Sequence, residues 1–314
     1  MLRYARTIAS LRGIAAGIAG AILMVPMVMV LEGRSTAQND LAAGRDVLRY
    51  FEPAGVTPGP MDVFIHKPTA WRPQDGRLLV VLHGADRNAT LLRDTWRPIA
   101  ERYNLLLIVP EFSEAKFPGT LWYNLGNVTD AARRPQPKAA WTFHALDRAV
   151  DAVRQATGAV NDRFQLYGFS AGAQFAHRYL LLTGAPRVDL VVADSGGWYT
   201  LPDPTQDYPC GLGGAAPEEE ALRSALGHPL VVDVGQHDTK STDYFGADGY
   251  EACAGRQGVN RVARGQFFIA FGKRQAERLK TEFAWRLIEA PGVGHSQEEM
   301  AEHASNALFA HMKW

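Results

Sequence analysis

The chain has no excess of charge of either sign. Among its 314 residues, 33 lysines and arginines balance 33 aspartates and glutamates. Proteins that bind nucleic acid through phosphate contacts carry a basic surface, so this balance excludes an electrostatic role of that kind. The chain is also 46% hydrophobic, which excludes a disordered protein, because such proteins lack the apolar residues needed for a core. We therefore expect a globular fold and no nucleic-acid partner.

Long hydrophobic runs are also scarce. One uncharged run of 19 residues, 13–31, follows three arginines and precedes Ser35-Thr36-Ala37, whose small residues suit a signal peptidase. The pattern predicts that residues 1–37 are a signal peptide. Because the run nearly spans a bilayer, an uncleaved membrane anchor is the alternative, and no other contact with a membrane is expected. In both cases residues 38–314 are predicted to form one domain outside the cytoplasm, secreted or periplasmic.

Cysteine is nearly absent. The two cysteines are Cys210 and Cys253. In an oxidising compartment such a pair favours a disulfide, with two unrelated thiols as the alternative. Two cysteines so far apart, with no nearby pair of histidines, do not have the spacing of a zinc site, and we expect no metal ion.

Beyond residue 38 the chain alternates short apolar runs with helical patterns. Runs that are apolar at consecutive positions are typical of strands buried on both faces, and helices between them favour parallel pairing through right-handed crossovers. This predicts an α/β protein with a doubly wound, mostly parallel sheet, helices on both faces and no large lid domain. The predicted strands are 61–66, 77–82, 105–109, 164–167, 188–193, 229–234 and 283–288. The predicted helices are a short one opening the segment 39–51, then 90–103, 141–157, 171–182, 266–281 and 297–312.

A glycine-rich turn follows the predicted strand 164–167. It reads Gly168-Phe169-Ser170-Ala171-Gly172 and leads directly into a helix, so the pattern G-x-S-x-G stands in a strand–turn–helix context. In a doubly wound sheet, sites form beyond the carboxyl ends of the strands, where this turn lies. The glycines allow a turn too tight for side chains and leave the Ser170 hydroxyl exposed. We therefore predict that Ser170 is a nucleophile.

A serine hydroxyl is a weak nucleophile unless a base takes its proton and an acid orients that base. Asp238 lies just after the strand 229–234, where such an acid would belong. His295 lies on a glycine-flanked loop between the last strand and the last helix. The order serine, aspartate, histidine along the chain therefore predicts Asp238 as the acid and His295 as the base.

An oxyanion formed at Ser170 would need two backbone N–H donors. One is predicted at Ala171, directly after the nucleophile. The other is predicted at Ala85, in the loop that follows the strand 77–82, where Gly84 lets the backbone approach closely. His83 in the same loop is predicted to be structural.

Together these motifs resemble the α/β-hydrolase superfamily of serine esterases. The motifs are His83-Gly84, the turn 168–172, Asp238 and Gly294-His295. Within the superfamily the chain is similar to the polyhydroxybutyrate depolymerase-like and feruloyl or acetyl esterase group, through Val80-Val81-Leu82-His83-Gly84 and Gly196-Gly197-Trp198. The resemblance implies a carboxylic ester hydrolase that forms an acyl-enzyme without a metal or cofactor. The linker and surface-binding domain of many secreted polymer depolymerases are not recognisable here, so action on insoluble polymer is not expected.

Aromatic residues on two long loops could contact a substrate. The first loop, 112–138, carries Trp122 and Tyr123, and the second, 195–226, carries Trp198 and Tyr199. Aromatics at the carboxyl ends of strands often line a groove, although they also pack loops internally. We expect small or soluble esters, or acyl groups linked to polyester or polysaccharide, as partners.

Two other functions share these residues. A serine peptidase or amidase would use the same machinery on amides, and a hydrolase fold without turnover could serve as an extracytoplasmic binding module. The sequence leaves the acyl group, the alcohol and the oligomeric state open.

Overall fold

The fold is built on a twisted sheet of eight strands. The structure is a computed structural model that describes residues 41–215, 218–240 and 250–309; the predicted N-terminal segment 1–37 lies outside these ranges. The strands lie in the order β1-β2-β4-β3-β5-β6-β7-β8. Their bounds are β1 Gly44–Glu52, β2 Gly59–Lys67, β3 Arg77–Leu82, β4 Leu105–Pro110, β5 Phe164–Phe169, β6 Val188–Asp194, β7 Leu230–Gly235 and β8 Trp285–Ala290.

Eight α-helices connect the strands in the described part of the chain. They are α1 Ala89–Arg102, α2 Gly119–Trp122, α3 Phe143–Thr157, α4 Ala171–Thr183, α5 Glu219–Gly227, α6 Glu251–Gln257, α7 Arg261–Leu279 and α8 Gln297–Phe309. Residues 310–312 of the last predicted helix lie outside the described residues. Across these same ranges, none of the helices has the length and apolar character needed to cross a membrane.

The sheet is mostly parallel, as predicted. Strands β3 to β8 pair in parallel, while β1 with β2 and β2 with β4 pair antiparallel. Successive residues of β3 point to opposite faces: Leu79 and Val81 join the core under α1 and α8, and Val80 joins the core under α3, α4 and α7. Both faces are therefore covered by helices, which confirms the predicted α/β fold class.

The predicted short helix at the start of the segment 39–51 is wrong for the residues that the structure describes. Residues Gly44–Glu52 form β1, whose side chains alternate between half-buried and exposed, as a half-buried strand requires. The hairpin partner decides the outcome: β1 pairs with β2 along its whole length, and Arg49 forms a two-pronged ion pair with Asp62 directly opposite it. Local propensity gives way to this cross-strand pairing.

The predicted helix 266–281 begins five residues earlier in the structure. Helix α7 starts at Arg261, because the side chain of Asn260 accepts a hydrogen bond of 2.9 Å from the N–H of Ala263 and so caps the helix. The earlier start places Arg261 on a fixed helical turn instead of a loop.

The winding of the sheet decides where a site can form. The chain passes from β3 outward to β4 and then crosses back to β5 on the other side of β3. The carboxyl ends of β3 and β5 therefore lie side by side at the point where the winding reverses, which is where doubly wound sheets hold their ligands. The loop that begins with His83 and the turn that begins with Ser170 meet there.

Two glycines allow β5 and α4 to pack closely. A Cβ on Gly168 would overlap the carbonyl group of Gly172, and a Cβ on Gly172 would overlap the carbonyl group of Leu82. Each obstacle is backbone, so it cannot move aside as a flexible side chain would. The start of α4 can lie against β3 only because both residues lack a side chain.

We expect Gly172→Ala to lower the free energy of unfolding by about 1–3 kcal/mol, the usual range for overpacking a tight contact. Gly255→Ala is the matched control, because a Cβ there would meet no atom within 4 Å and alanine suits a helix. Urea unfolding of both variants would measure the difference. Equal stability of the two variants would show that the Gly172 contact is not a constraint.

Candidate active site

Ser170 lies on a strained turn between β5 and α4. Its backbone has φ +54° and ψ −108°, a region that residues with side chains rarely adopt. Its N–H donates a hydrogen bond of 2.8 Å to the carbonyl of Asp194, which holds the turn against the end of β6. Strain of this kind persists where the surrounding structure enforces it, and it is typical of functional sites.

The loops that follow β7 and β8 bring Asp238 and His295 together. The two strands pair in parallel up to Gly235 and Ala290. Beyond the strands the pairing continues, since the N–H of His237 donates to the carbonyl of Val293 at 2.8 Å. Two residues that are 57 positions apart therefore emerge side by side.

Ser170, His295 and Asp238 form one chain of hydrogen bonds. His295 Nδ1 lies 2.7 Å from Asp238 Oδ2, and His295 Nε2 lies 3.3 Å from Ser170 Oγ. Because a carboxylate can only accept, Nδ1 carries the proton and Nε2 is free to accept from the Ser170 hydroxyl. The structure thus places the predicted nucleophile, base and acid within hydrogen-bond reach of one another.

Asp238 is a buried carboxylate with partners on both oxygens. The residue is 3% exposed. Burial by itself would raise its pKa, but the hydrogen bond and charge of His295, together with the guanidinium of Arg261, hold the pKa below its usual value. Arg261 Nη1 donates to Asp238 Oδ1 at 2.9 Å. The carboxylate is therefore ionised at neutral pH.

The predicted oxyanion donors both lie beside Ser170. Ala171 is the first residue of α4, so its N–H has no acceptor within the helix and forms part of the positive end of the helix dipole. Ala85 follows Gly84, where an added Cβ would lie 3.8 Å from Ser170 Cβ, so the two loops approach closely. Ala85 and Ala171 line the same cavity as Ser170. Their positions allow both N–H groups to serve a developing oxyanion.

His83 supports the loop that carries Ala85. The imidazole is fully buried, and its Nδ1 donates to the carbonyl of Gly84 at 3.0 Å while its Nε2 accepts from the N–H of Phe112 at 3.1 Å. Burial lowers the pKa of His83 to about 3, so the ring stays neutral and keeps this arrangement. The hydroxyl of Tyr123 donates to the carbonyl of His83 at 2.7 Å and completes the support.

The site opens into a cavity of about 810 Å³. Ser170 and His295 line it, and the ring of Phe169 lies against the imidazole at 4.7 Å between centroids. Its walls are partly apolar, through Leu91, Leu125, Trp198 and Tyr250, and partly polar, through Asp86, Thr120, Asn124, Gln174, Arg261, Ser296, Gln297 and Glu298. A volume of this size fits a small organic ligand.

Two solved structures resemble both the fold and the sequence. A poly(aspartic acid) hydrolase from Sphingomonas sp. KT-1 is 36% identical, with a TM-score of 0.79 over 85% of this chain and 98% of its own. A poly(3-hydroxybutyrate) depolymerase from Bordetella parapertussis is 31% identical, with a TM-score of 0.81 over 88% of this chain and 93% of its own. The chain belongs to the α/β-hydrolase superfamily.

More distant structures show the same fold. An S-formylglutathione hydrolase from Agrobacterium tumefaciens is 15% identical, with a TM-score of 0.55 over 86% of this chain and 95% of its own. No protein-family model and no curated protein matched the chain. The predicted resemblance to depolymerase-like esterases is confirmed, and the protein is a hydrolase of this superfamily.

Of the four aromatic residues predicted to contact substrate in this α/β-hydrolase, one lines the cavity and three do not. Trp198 lines the cavity. Tyr123 and Tyr199 are fully buried and do not reach it: Tyr123 packs under the His83 loop, and Tyr199 stacks on Phe268 at 4.6 Å between centroids. Trp122 is partly buried against the core and is not part of the cavity lining. Sequence pattern places aromatics on loops, but it does not tell which side of the loop each one faces.

Sequence reasoning missed the residues that stiffen the cavity wall. The Trp198 ring contacts both the guanidinium of Arg178, which lies 4.5 Å from its centroid, and the ring of Tyr250, whose centroid lies 5.6 Å away. Arg178 is fully buried and also donates to Gln174 Oε1 at 3.1 Å and to the carbonyl of Asn124 at 3.0 Å. Burial lowers the pKa of Arg178 to about 10, so it stays charged at neutral pH. No local motif marks these residues, because they come from three separate segments: α4, the loop at Asn124 and the residue before α6.

A disulfide joins Cys210 and Cys253, whose Cα atoms are 5.4 Å apart. Cys253 lies in α6, and this helix begins directly after Tyr250, a residue of the cavity wall. In the same helix, the side chain of Gln257 accepts from the N–H of Tyr199 at 2.9 Å and donates to its carbonyl at 2.6 Å. A covalent bond and a two-sided amide contact thus hold α6 on the segment that follows β6.

We expect the double variant Cys210→Ser/Cys253→Ser to lose stability and bind substrate more weakly. The bond closes a loop of 43 residues, and losing it should lower the free energy of unfolding by roughly 2–4 kcal/mol. KM for an ester should rise more than kcat falls. The part of the cavity wall that contains Tyr250 would become less firmly held, while the hydrogen bond between Ser170 and His295 would remain.

Thermal unfolding and steady-state kinetics, each with and without reductant, would measure both effects. Reductant should change the wild type and leave the double variant as it is. Unchanged melting temperature and unchanged KM in the double variant would contradict the assigned role of the bond.

Proposed function

We propose that this α/β-hydrolase is a serine carboxylesterase that works through an acyl-enzyme on Ser170. The observation that supports it most directly is the hydrogen-bonded chain from Asp238 through His295 to Ser170 Oγ at the edge of the cavity. A hydroxyl held by an imidazole whose other nitrogen is fixed by a buried carboxylate is the arrangement that activates serine.

In the proposed reaction, Ser170 Oγ attacks the ester carbonyl carbon and its proton passes to His295 Nε2. The N–H groups of Ala85 and Ala171 stabilise the negative charge that forms on the carbonyl oxygen. The carboxylate of Asp238 stabilises the imidazolium of His295. As the bond to the alcohol breaks, the imidazolium returns its proton to the leaving oxygen. A water molecule, deprotonated by His295, then attacks the acyl-enzyme, and the acid leaves as Ser170 regains its proton.

The cavity supports a substrate of moderate size. A volume of about 810 Å³ accommodates a small acyl ester or the end of an oligomer. The apolar side of the wall, with Leu91, Trp198 and Tyr250, suits an acyl chain, while Gln174 and Asn124 offer hydrogen bonds to an ester or alcohol oxygen. Small or soluble esters, or acyl groups on a polyester or polysaccharide, are therefore the proposed substrate class.

Amide hydrolysis is the second candidate. The chain is 36% identical to a protein named a poly(aspartic acid) hydrolase, and the backbone of that polymer is made of amide bonds. The same nucleophile, base and donors would serve, with the proton from His295 going to the leaving nitrogen.

The proposed place of action is outside the cytoplasm. The arginine-flanked apolar run within residues 1–37 supports export, and the disulfide between Cys210 and Cys253 is typical of oxidising compartments.

We expect Ser170→Ala to remove nearly all ester turnover and all labelling by a serine-directed fluorophosphonate. Loss of a catalytic serine in a comparable triad lowers kcat by about 10⁶-fold. Intact mass should show one adduct on the wild type and none on the variant, and p-nitrophenyl butyrate hydrolysis should measure the loss of turnover.

Circular dichroism of the variant is the control for folding. Residual turnover above about a thousandth of the wild-type rate would contradict the role of Ser170. A folded wild type that forms no adduct would favour a binding module over an enzyme.

A matched pair of substrates would separate the two candidate activities. We expect p-nitrophenyl acetate to be hydrolysed with a higher kcat/KM than p-nitroacetanilide, which presents the same acyl group as an amide. A higher kcat/KM for the anilide, or release of acid groups from poly(aspartic acid) with no ester turnover, would make the protein an amidase.

A further inference from the structure

We propose that Arg261 is a positioning residue of the active site, which holds the carboxylate of Asp238 in place and sets the pH range in which His295 acts as a base. The inference rests on the proposed function, because it concerns the same hydrogen-bonded chain.

The geometry gives each oxygen of Asp238 a different partner. Arg261 Nη1 donates to Oδ1 at 2.9 Å, and His295 Nδ1 donates to Oδ2 at 2.7 Å. A carboxylate held from both sides cannot rotate about its last bond without breaking one of the two contacts. Arg261 therefore keeps Oδ2 aimed at the imidazole and, through it, keeps Nε2 aimed at Ser170.

Arg261 itself is held firmly. It is 9% exposed and is the first residue of α7, which is capped by Asn260. A guanidinium on a capped helix loses little freedom when it binds a carboxylate, and burial keeps water from competing for the contact. The carboxylate is thus oriented by a residue of α7, a helix that carries none of Ser170, Asp238 and His295.

The charge of Arg261 opposes part of the effect of Asp238. A carboxylate favours the protonated imidazole, and a cation bound to that carboxylate weakens the preference. Because a base must be unprotonated to accept from Ser170, the cation extends activity to lower pH. The chain of charges Arg261⁺, Asp238⁻ and His295 therefore acts as one electrostatic unit.

Other charged and titratable groups surround this unit and must be considered with it. Arg264 of α7 lies near Arg261 and Asp238, and it donates to the carbonyls of Gly197 and Gly258. The buried carboxyls are Asp194 at the end of β6 and Asp233 within β7, and burial raises the pKa of each. The remaining groups are Tyr199, His303 and Glu298. The charges of Asp194 and Arg261 act on the hydroxyl of Tyr199, His303 Nδ1 pairs with Asp233, and Glu298 lines the cavity.

Arg261 also forms part of the cavity wall, so a direct contact with substrate is the competing explanation. Its Nε is buried and turned away from solvent, and Nη1 is engaged by Asp238. The two explanations differ in what they change: positioning of Asp238 acts on kcat and on the pH profile, whereas substrate contact acts on KM.

The test compares Arg261→Gln, which removes the charge, with Arg261→Lys, which keeps it. The measurement is kcat and KM for p-nitrophenyl butyrate as a function of pH. In Arg261→Gln we expect kcat to fall by about 10- to 100-fold, as for a small misplacement of catalytic groups. The acidic limb of kcat/KM should also move to higher pH by about one unit, because the imidazolium loses a neighbouring cation. Arg261→Lys should keep the limb at the wild-type pH with a smaller fall in kcat.

Arg278→Gln is the matched control, since it removes a positive charge from the exposed last turn of the same helix, where Arg278 donates to Gln275 at 2.8 Å. Its kinetics should equal those of the wild type. Fluorophosphonate labelling of wild type and Ser170→Ala, run alongside, separates the two proposals. If the wild type is not labelled, the proposed function fails; if it is labelled and the limb does not move in Arg261→Gln, only the role of Arg261 fails.

The other possible outcomes also support or overturn the proposed role of Arg261. An effect confined to KM in either variant would make Arg261 a substrate contact and overturn the proposal. The same limb position in Arg261→Gln and Arg261→Lys would show that charge is not involved and would overturn it as well. Should Arg261→Gln not fold, Arg261→Lys carries the test: a fall in kcat with unchanged KM and limb supports positioning, whereas wild-type kcat or a raised KM refutes it.

Discussion

The buried carboxylate of Asp238 is the constraint on which the rest of the site depends. Removing a charge from water is costly unless the protein supplies partners of opposite charge or hydrogen-bond donors. The structure supplies one partner on each oxygen, His295 and Arg261, from two different segments. Because neither partner is a neighbour of Asp238 in the chain, the pairing of β7 with β8 and the start of α7 must both be correct before the carboxylate is stable and the imidazole is oriented.

A second close contact shapes the turn at Ser170, the proposed nucleophile. Ser170 keeps a strained backbone because α4 is drawn against β3, and this is possible only where Gly172 has no side chain. On the facing side, the neutral buried His83 holds the loop that presents Ala85. The helix end and the loop therefore both lie beside Ser170, where the N–H groups of Ala171 and Ala85 are the proposed donors for an oxyanion. Donors that are fixed in advance stabilise such a charge without reorganisation.

The cavity wall is built differently, from residues that several separate segments contribute. Trp198 contacts Arg178 and Tyr250, and the helix that follows Tyr250 is held by a disulfide and by the amide of Gln257. A wall assembled from separate segments can change its shape with few substitutions while Ser170 and His295 stay in place.

The sequence by itself determined seven of the eight strands, the turn at Ser170 and the identity of Asp238 and His295 as candidates. Each is marked by a local pattern: an apolar run, a glycine-flanked serine, or a polar residue after a strand end. It did not determine β1, whose form depends on pairing with β2, nor which of Tyr123, Trp198 and Tyr199 faces the cavity. The sequence also did not predict the contact of Arg261 with Asp238, because the pattern predicts that the helix begins only at Gln266. Only the tertiary structure decided these points. Cross-strand pairing, the direction in which a loop side chain points and the pairing of distant charges all depend on contacts between segments, so the sequence of one segment does not predict them.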